Sequence, residues 1–192
     1  MRRSNSERTE TMRAALIAAA RNLFIEKGYA DTTTPDIVEA AGVTRGALYH
    51  HFEDKKALFA AVIADEARKV SEEIETASAA SATARQAILD GTRAYFDSLA
   101  VPGRTRLLLL DGPAVLGSTA MRQVDAEYSE ASLKAGLKEL LAASGKAPDL
   151  LDAFTGLLAA AFDRAALAIE DGGNREDYER AIAALIDGIS VK

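Results

Sequence analysis

Apolar residues recur at helical spacing along almost the whole chain. Met12, Leu16, Ala19, Ala20, Leu23 and Phe24 stand three and four apart, and they make one face of a helix predicted over Thr9 to Lys27. Gly28 stops it, where a left-handed residue costs least. A capping cluster, Asp31 to Thr34, leads into Pro35, which suits the first turn of a second helix ending near Ala41. Gly42 makes a turn. Thr44 caps a third helix to about His51, and Glu53 to Lys56 opens a long fourth with Leu58, Phe59, Val62, Ile63, Val70 and Ile74 on its buried side. Thr76 to Thr83 is rich in Ala and Ser and is expected to be a hinge. A fifth helix covers about Thr83 to Ala100 and stops at Pro102-Gly103. Leu107 to Leu110 forms a short apolar segment that is expected to break at Asp111-Gly112-Pro113. Three further helices are predicted: Ser118 to Ala143, Pro148 to Ile169, and Arg175 to Val191. No strand alternation and no internal repeat interrupts the series. The expected fold is all-α, with about nine helices in an N-terminal three-helix head and a C-terminal helical body.

The densest information lies in Thr34 to Phe52. Two helices this short, joined at a glycine, read as a helix-turn-helix, a unit that lays its second helix in the major groove of DNA. Ile37, Val38, Ala41, Val43, Leu48 and Phe52 are the apolar positions that pin the pair together. The other positions of the third helix face outward. Thr44 can cap the helix and offer its hydroxyl or backbone N–H to a phosphate. Arg45 stands near the helix start, where base edges are met, and can read guanine in bidentate fashion. Gly46 and Ala47 let the backbone approach, and Ala47 can touch a thymine methyl. Tyr49, His50 and His51 suit phosphate contacts, as does Lys55 in the first turn of the fourth helix. His50 and His51 are adjacent, so they point about 100° apart and rarely share a metal ion.

Composition narrows the classes. The 192 residues are 48% hydrophobic, enough for a sizeable core. With no cysteine there is neither a disulfide framework nor a thiolate metal site. The chain starts with polar and charged residues, and no run approaches the ~20 apolar residues of a membrane span. A cytoplasmic protein without membrane contact is expected. The net charge of −6 is uneven: residues 1–69 carry 11 Lys/Arg and 10 Asp/Glu, whereas residues 70–192 carry 12 and 19. An acidic body would be repelled by DNA and help aim the near-neutral head, whose local positive charge comes from Arg2, Arg3, Arg8, Arg45, Lys55 and Lys56. Catalytic signatures are missing: there is no Gly-Xaa-Ser-Xaa-Gly elbow, no phosphate-binding glycine loop and no metal-ligand spacing. An enzyme is not expected, nor a cofactor or metal.

Leu23-Phe-Ile-Glu-Lys-Gly-Tyr29, Thr32-Thr-Thr34, Ile37-Val-Glu-Ala-Ala-Gly-Val43 and Thr44-Arg-Gly-Ala-Leu-Tyr-His-His-Phe52, followed by Asp54-Lys55 and Leu58-Phe59, resemble the N-terminal domain of TetR-family transcriptional regulators. The resemblance covers residues 9–62. It implies a homodimer on a palindromic DNA operator, usually a repressor released by a small-molecule effector. It also implies a division into a DNA-binding domain (1–54), a connecting helix and hinge (55–82), and an effector-binding and dimerisation domain (83–192). The family's DNA contacts fall on Thr34, Thr44, Arg45, Gly46, Tyr49, His50, His51 and Lys55. Pro35 departs from relatives that carry a polar or basic residue there, so fewer contacts are expected from the second helix. An activator of the same family, or a helical interaction protein with a repurposed head, are the alternatives.

The resemblance assigns dimerisation to the last two helices. Their apolar positions are Leu151, Phe154, Leu158, Ala161 and Ala165, then Tyr178, Ile182, Leu185, Ile186 and Ile189, which could equally be core. A ligand pocket of the family type would draw on Phe96, Leu99, Leu107, Val115, Met121, Tyr128, Phe154 and Phe162, with Asp111 and Asp163 as polar anchors. Asp111 could instead be a turn carboxylate.

Overall fold

The computed structural model describes residues 5–128, 130–145 and 148–190. Arg2, Arg3 and the expected helix end at Val191 lie outside them. Among the described residues ten α-helices follow one another: α1 (Asn5–Asp31), α2 (Thr34–Ala41), α3 (Arg45–His51), α4 (Lys55–Ser78), α5 (Ala84–Leu99), α6 (Gly112–Leu116), α7 (Ser118–Tyr128), α8 (Glu130–Ala143), α9 (Leu151–Glu170) and α10 (Arg175–Ser190). There is no strand among the described residues.

In the head, α1 packs on α2 and α4, and α2 packs on α3. Leu16, Phe24, Ile37, Leu48, Leu58 and Phe59 are fully buried where these helices meet. Phe24, Tyr29 and Phe59 stack with ring centroids 5.0–5.7 Å apart. Gly28 leaves helical geometry at φ 80°, within the last turns assigned to α1. Thr32, fully buried, donates to the carbonyls of Leu23 and Gly28 and so closes that end.

The helix α4 is about 36 Å long at 1.5 Å per residue. It serves both parts of the molecule, packing on α1 in the head and on α5, α6 and α7 in the body. The Ala/Ser-rich stretch at its far end is the turn of an α4/α5 hairpin, and Thr83 caps α5 by accepting from Gln86 N. Head and body therefore meet along α4.

Two expectations about breaks are corrected. Asp111-Gly112-Pro113 does not interrupt the chain. Arg106–Asp111 forms a π-helical turn that runs straight into α6, because Pro113 occupies the first turn of α6, where no intrahelical donor is needed. The break falls at Gly117, with φ 88°. Pro148 opens a 3-10 turn, Pro148–Leu150, and the helix proper starts at Leu151. The single helix expected over Ser118 to Ala143 is described as α7 and α8, on either side of residue 129.

Candidate nucleic-acid interface and body cavity

The turn between α2 and α3 is built by its own residues. Thr33 caps α2 in a reciprocal box: its hydroxyl accepts from Asp36 N, and the Asp36 carboxylate accepts from Thr33 N at 3.1 Å. Gly42 sits at φ 66°, where a side chain would be strained, and its N–H bonds back to Glu39 O at 3.1 Å. Thr44 accepts from Ala47 N at 3.2 Å and starts α3. Leu48 and Phe52 then anchor the helix inward.

That anchoring leaves Thr44, Arg45, Gly46, Tyr49 and His50 exposed, with Thr34, Ala47 and His51 half-buried beside them. The Arg45 guanidinium lies 5.5 Å from the Tyr49 ring centroid, one helical turn on. The Thr34 hydroxyl, and after it Arg45, hold the Tyr49 phenol below its ordinary value. Thr34, Arg45 and Tyr49 thus form one outward ridge from α2 to α3. His50 and His51 stack edge to face at 5.4 Å, and no group of residues able to hold a metal ion occurs among the described residues.

Lys55 is placed differently. Its Nζ donates to the carbonyls of Tyr29 (2.8 Å), Thr32 (2.9 Å) and Ala30 (3.4 Å), and it lies 4.4 Å from the Tyr29 ring centroid. It closes the C-terminal end of α1 onto the start of α4, and a phosphate would have to compete with these carbonyls.

Among the described residues the body holds an apolar cavity of about 120 Å³ between α4, α5, α8 and α9, and a second of about 230 Å³ between α5 and α9. Of the expected pocket residues the first brings together Phe162 and Asp163, and the second Phe96 and Leu99. Phe96, Leu99, Leu107 and Met121 are buried in the core, and Val115, Tyr128 and Phe154 pack half-buried against it. Asp111 sits 3.3 Å from Arg106 Nε within the continuous helical run, makes no cap hydrogen bond, and lies outside the cavity lining. The residues that sequence reasoning missed include Ile74, Ile88, Tyr95, Glu130 and Leu133. The available signal was a pair of mid-helix glycines, Gly91 and Gly136, each costing roughly 1 kcal/mol against alanine and so calling for a packing reason. A Cβ on Gly136 would come within 3.0 Å of Ile88, and one on Gly91 within 3.3 Å of Ile74.

At one side of the cavity the Tyr95 hydroxyl donates to Asp163 Oδ1 at 2.6 Å. Burial raises the Asp163 carboxyl against the pull of that bond. Burial, then the Asp163 charge, raises the Tyr95 phenol well above its ordinary value. Asp125 is pushed up to about 6 by desolvation, then by Asp163 and Glu130.

On α9 and α10, Leu151, Leu158, Ala165, Ile182 and Ile186 are buried against their own subunit, which corrects their assignment to a partner surface. Phe154, Ala161, Tyr178 and Ile189 are half-buried, and Leu185 is 53% exposed. The outward stripes run through Ala153, Gly156, Leu157 and Ala160 on α9, and Ala181, Ala184, Leu185 and Gly188 on α10. Leu157, at 69% exposed, was not anticipated. No helix among the described residues is long and apolar enough to cross a membrane.

A helix-turn-helix head with an outward basic-aromatic ridge, carried on a helical body with a cavity, defines a DNA-binding regulator of the one-chain type. Residues 16–62 match the family described as "Bacterial regulatory proteins, tetR family", and residues 85–190 match "Tetracyclin repressor-like, C-terminal domain". The chain is 30% identical to a TetR-family transcriptional regulator from Pectobacterium atrosepticum, with a TM-score of 0.71 and 96% of this chain and 94% of that one covered. SCO4454, a TetR-family regulator from Streptomyces coelicolor, shares the fold at 20% identity, with a TM-score of 0.70 over 93% of this chain and 94% of that one. The head is 47% identical over 74 residues (38% of this chain) to the HTH-type transcriptional repressor BepR of Brucella suis, and 49% identical over 63 residues (33% of this chain) to the HTH-type transcriptional regulator TtgR of Pseudomonas putida. These stretches span about a third of each relative, 34% of BepR and 30% of TtgR. The chain belongs to the TetR family of transcriptional regulators, proteins that act by binding DNA and not as enzymes.

Proposed function

We propose that the protein is a ligand-responsive repressor that binds a palindromic operator as a homodimer and leaves it when a small molecule fills the α4/α5/α8/α9 cavity. The observation that carries the proposal is the ridge of Thr34, Arg45 and Tyr49 on a short, capped and firmly anchored α3. A helix of this length with Gly46 and Ala47 on its outer side can sit deep in a major groove. Arg45 reads a base, and Thr44, Tyr49, His50 and His51 hold phosphates. Pro35 is exposed on α2 and has no N–H to offer, which limits that helix to Thr34.

Residues 1–54 act as the DNA-binding domain, 55–82 as the connector, and 83–192 as the effector and dimer domain. The outward stripes of α9 and α10 pair with their copies in a four-helix bundle, since small residues beside Leu157 and Leu185 allow close approach. Two-fold symmetry sets the two α3 helices on half-sites about 34 Å apart. The chromosome as target places the protein in the cytoplasm.

The test is selection from a random DNA pool with the purified protein, followed by sequencing of the bound fraction. An enriched palindrome is expected. A bound pool without any enriched site would turn the reading toward a helical interaction protein.

A further inference from the structure

The cavity has a size, a lining and a charge, and together they define what it can hold. At about 120 Å³ it is a little smaller than the ~150 Å³ engineered void that takes up benzene. Its occupant therefore buries a group of about one ring. Ile74, Ile88, Leu133 and Phe162 supply the apolar wall, and neither lysine nor arginine lines it. The ionisable lining is acidic: Asp163 on α9 and Glu130 on α8.

Asp163 is satisfied on one side only. Tyr95 donates to Oδ1, while a carboxylate offers about four lone-pair positions. None of the ion pairs among the described residues involves Asp163, Asp125 or Glu130. Lys134, one turn from Glu130 on α8, is paired with Asp152 at 2.6 Å. Asp163 thus lines the cavity, with Glu130 beside it, without an ion-pair partner of its own, where buried charges are ordinarily paired. Burial works against the ionised form of Asp163, and burial and then the Asp163 charge work against that of nearby Asp125. An entering cation removes that cost, and an entering anion adds to it. The rings of Tyr95 and Phe162, 6.1 Å apart, also line the cavity and supply aromatic surface near Asp163.

We propose that the effector is a small organic amine, whose ring-sized apolar group fills the space between Ile74, Ile88, Leu133 and Phe162 and whose ammonium lies against Asp163. This rests on reading the cavity as the effector site. The ammonium donates to the oxygen of Asp163 that Tyr95 leaves open, and Glu130 adds a longer-range attraction.

The experiment compares three probes that share a phenethyl body and differ at the head: phenethylammonium, phenethyl alcohol and hydrocinnamate. Calorimetric titration into the full-length protein is expected to show phenethylammonium binding about tenfold or more tighter than the alcohol, the size of a charge-assisted hydrogen bond, with no hydrocinnamate binding. Asp163→Asn is expected to bring the amine to the affinity of the alcohol and leave the alcohol unchanged. Glu130→Gln, at the cavity edge, costs the amine a smaller factor and guards against a folding defect in the first variant. Equal or tighter binding of alcohol or hydrocinnamate overturns the proposal, as does an amine affinity that ignores Asp163→Asn, or no binding of any probe. Operator release is read separately by fluorescence anisotropy. Amine binding without release supports the charge assignment and removes the effector role from the proposed function. Release by hydrocinnamate, with the amine inert, overturns the assignment and keeps that function.

Discussion

Glu66 Oε2 lies 3.0 Å from Arg104 Nε, an ion pair buried between α4 and the turn that follows α5. The same oxygen is 3.0 Å from Arg21 Nε on α1, and Glu66 Oε1 is 2.8 Å from Lys69. Arg104 also donates to Ser98 O and Oγ. Gly103 makes this approach possible, since a Cβ there would fall 2.6 Å from Ile25 and its φ is +77°. One carboxylate therefore joins the head helix α1, the shared helix α4 and the body.

Glu66→Ala leaves buried Arg104 with only the half-exposed Glu73 carboxylate at 3.3 Å and the Ser98 acceptors, and is expected to destabilise by about 3 kcal/mol in urea unfolding. Glu66→Leu with Arg104→Met replaces both charges by apolar groups and should cost clearly less, because no buried charge is left alone. Desolvation opposes ionisation of Glu66, but Lys69, Arg104 and Arg21 outweigh it and hold its carboxyl below the ordinary value. The contribution of this group is thus full above the unfolded value of 4.5 and is lost as pH falls through the lower folded value.

Asp125 has the opposite sign. Its carboxyl rises from 3.8 to about 6 on folding, so the folded state holds that proton more tightly and stability falls as pH rises across this window. Asp125→Asn should raise the melting temperature at neutral pH, and the gain should vanish toward pH 4. The residue is exposed, so screening keeps the expected gain to about 1 kcal/mol or less.

Arg45→Ala should weaken operator binding by about 1–3 kcal/mol and relax preference at one base per half-site. Anisotropy titrations on operator and random duplexes decide this. An equal loss on both would show that Arg45 holds phosphate only.

Lys55→Ala should weaken all DNA sequences alike. Because Nζ ties the carbonyls of Tyr29, Ala30 and Thr32, the variant should also lose about 1–3 kcal/mol of stability, measurable by thermal melting. A purely phosphate-binding lysine would leave the melt unchanged.

Leu185→Asp should shift the protein from dimer to monomer in analytical ultracentrifugation while the helical circular dichroism persists, since Leu185 is exposed in the subunit. Ile186→Asp, at the next position but fully buried, should unfold it instead.

Helix order, the capped turn at Thr33, Gly42 and Thr44, and the outward set of α3 were legible in the sequence. Each depends on neighbours within four residues: spacing sets the face, a hydroxyl sets the cap, and glycine sets the turn. What depends on distant partners was not legible. Leu151, Leu158, Ile182 and Ile186 look the same in a core as in a dimer face, because an apolar period says that a side is covered and not by what. Lys55 could be seen as a cation near a helix start, but only the return of α1 brought three carbonyls to it. Leu107 was a plausible cavity residue until packing buried it in the core, Phe96 came to line the cavity between α5 and α9, and Gly91, Gly136 and Tyr95 acquired their meaning from helices up to 68 residues away. The chain by itself determined the DNA-facing unit, since that unit is local. The tertiary structure decided which carboxylate found an arginine, Glu66, and which came to line the cavity beside Tyr95, Asp163, because pairing of buried charges is settled by packing between helices.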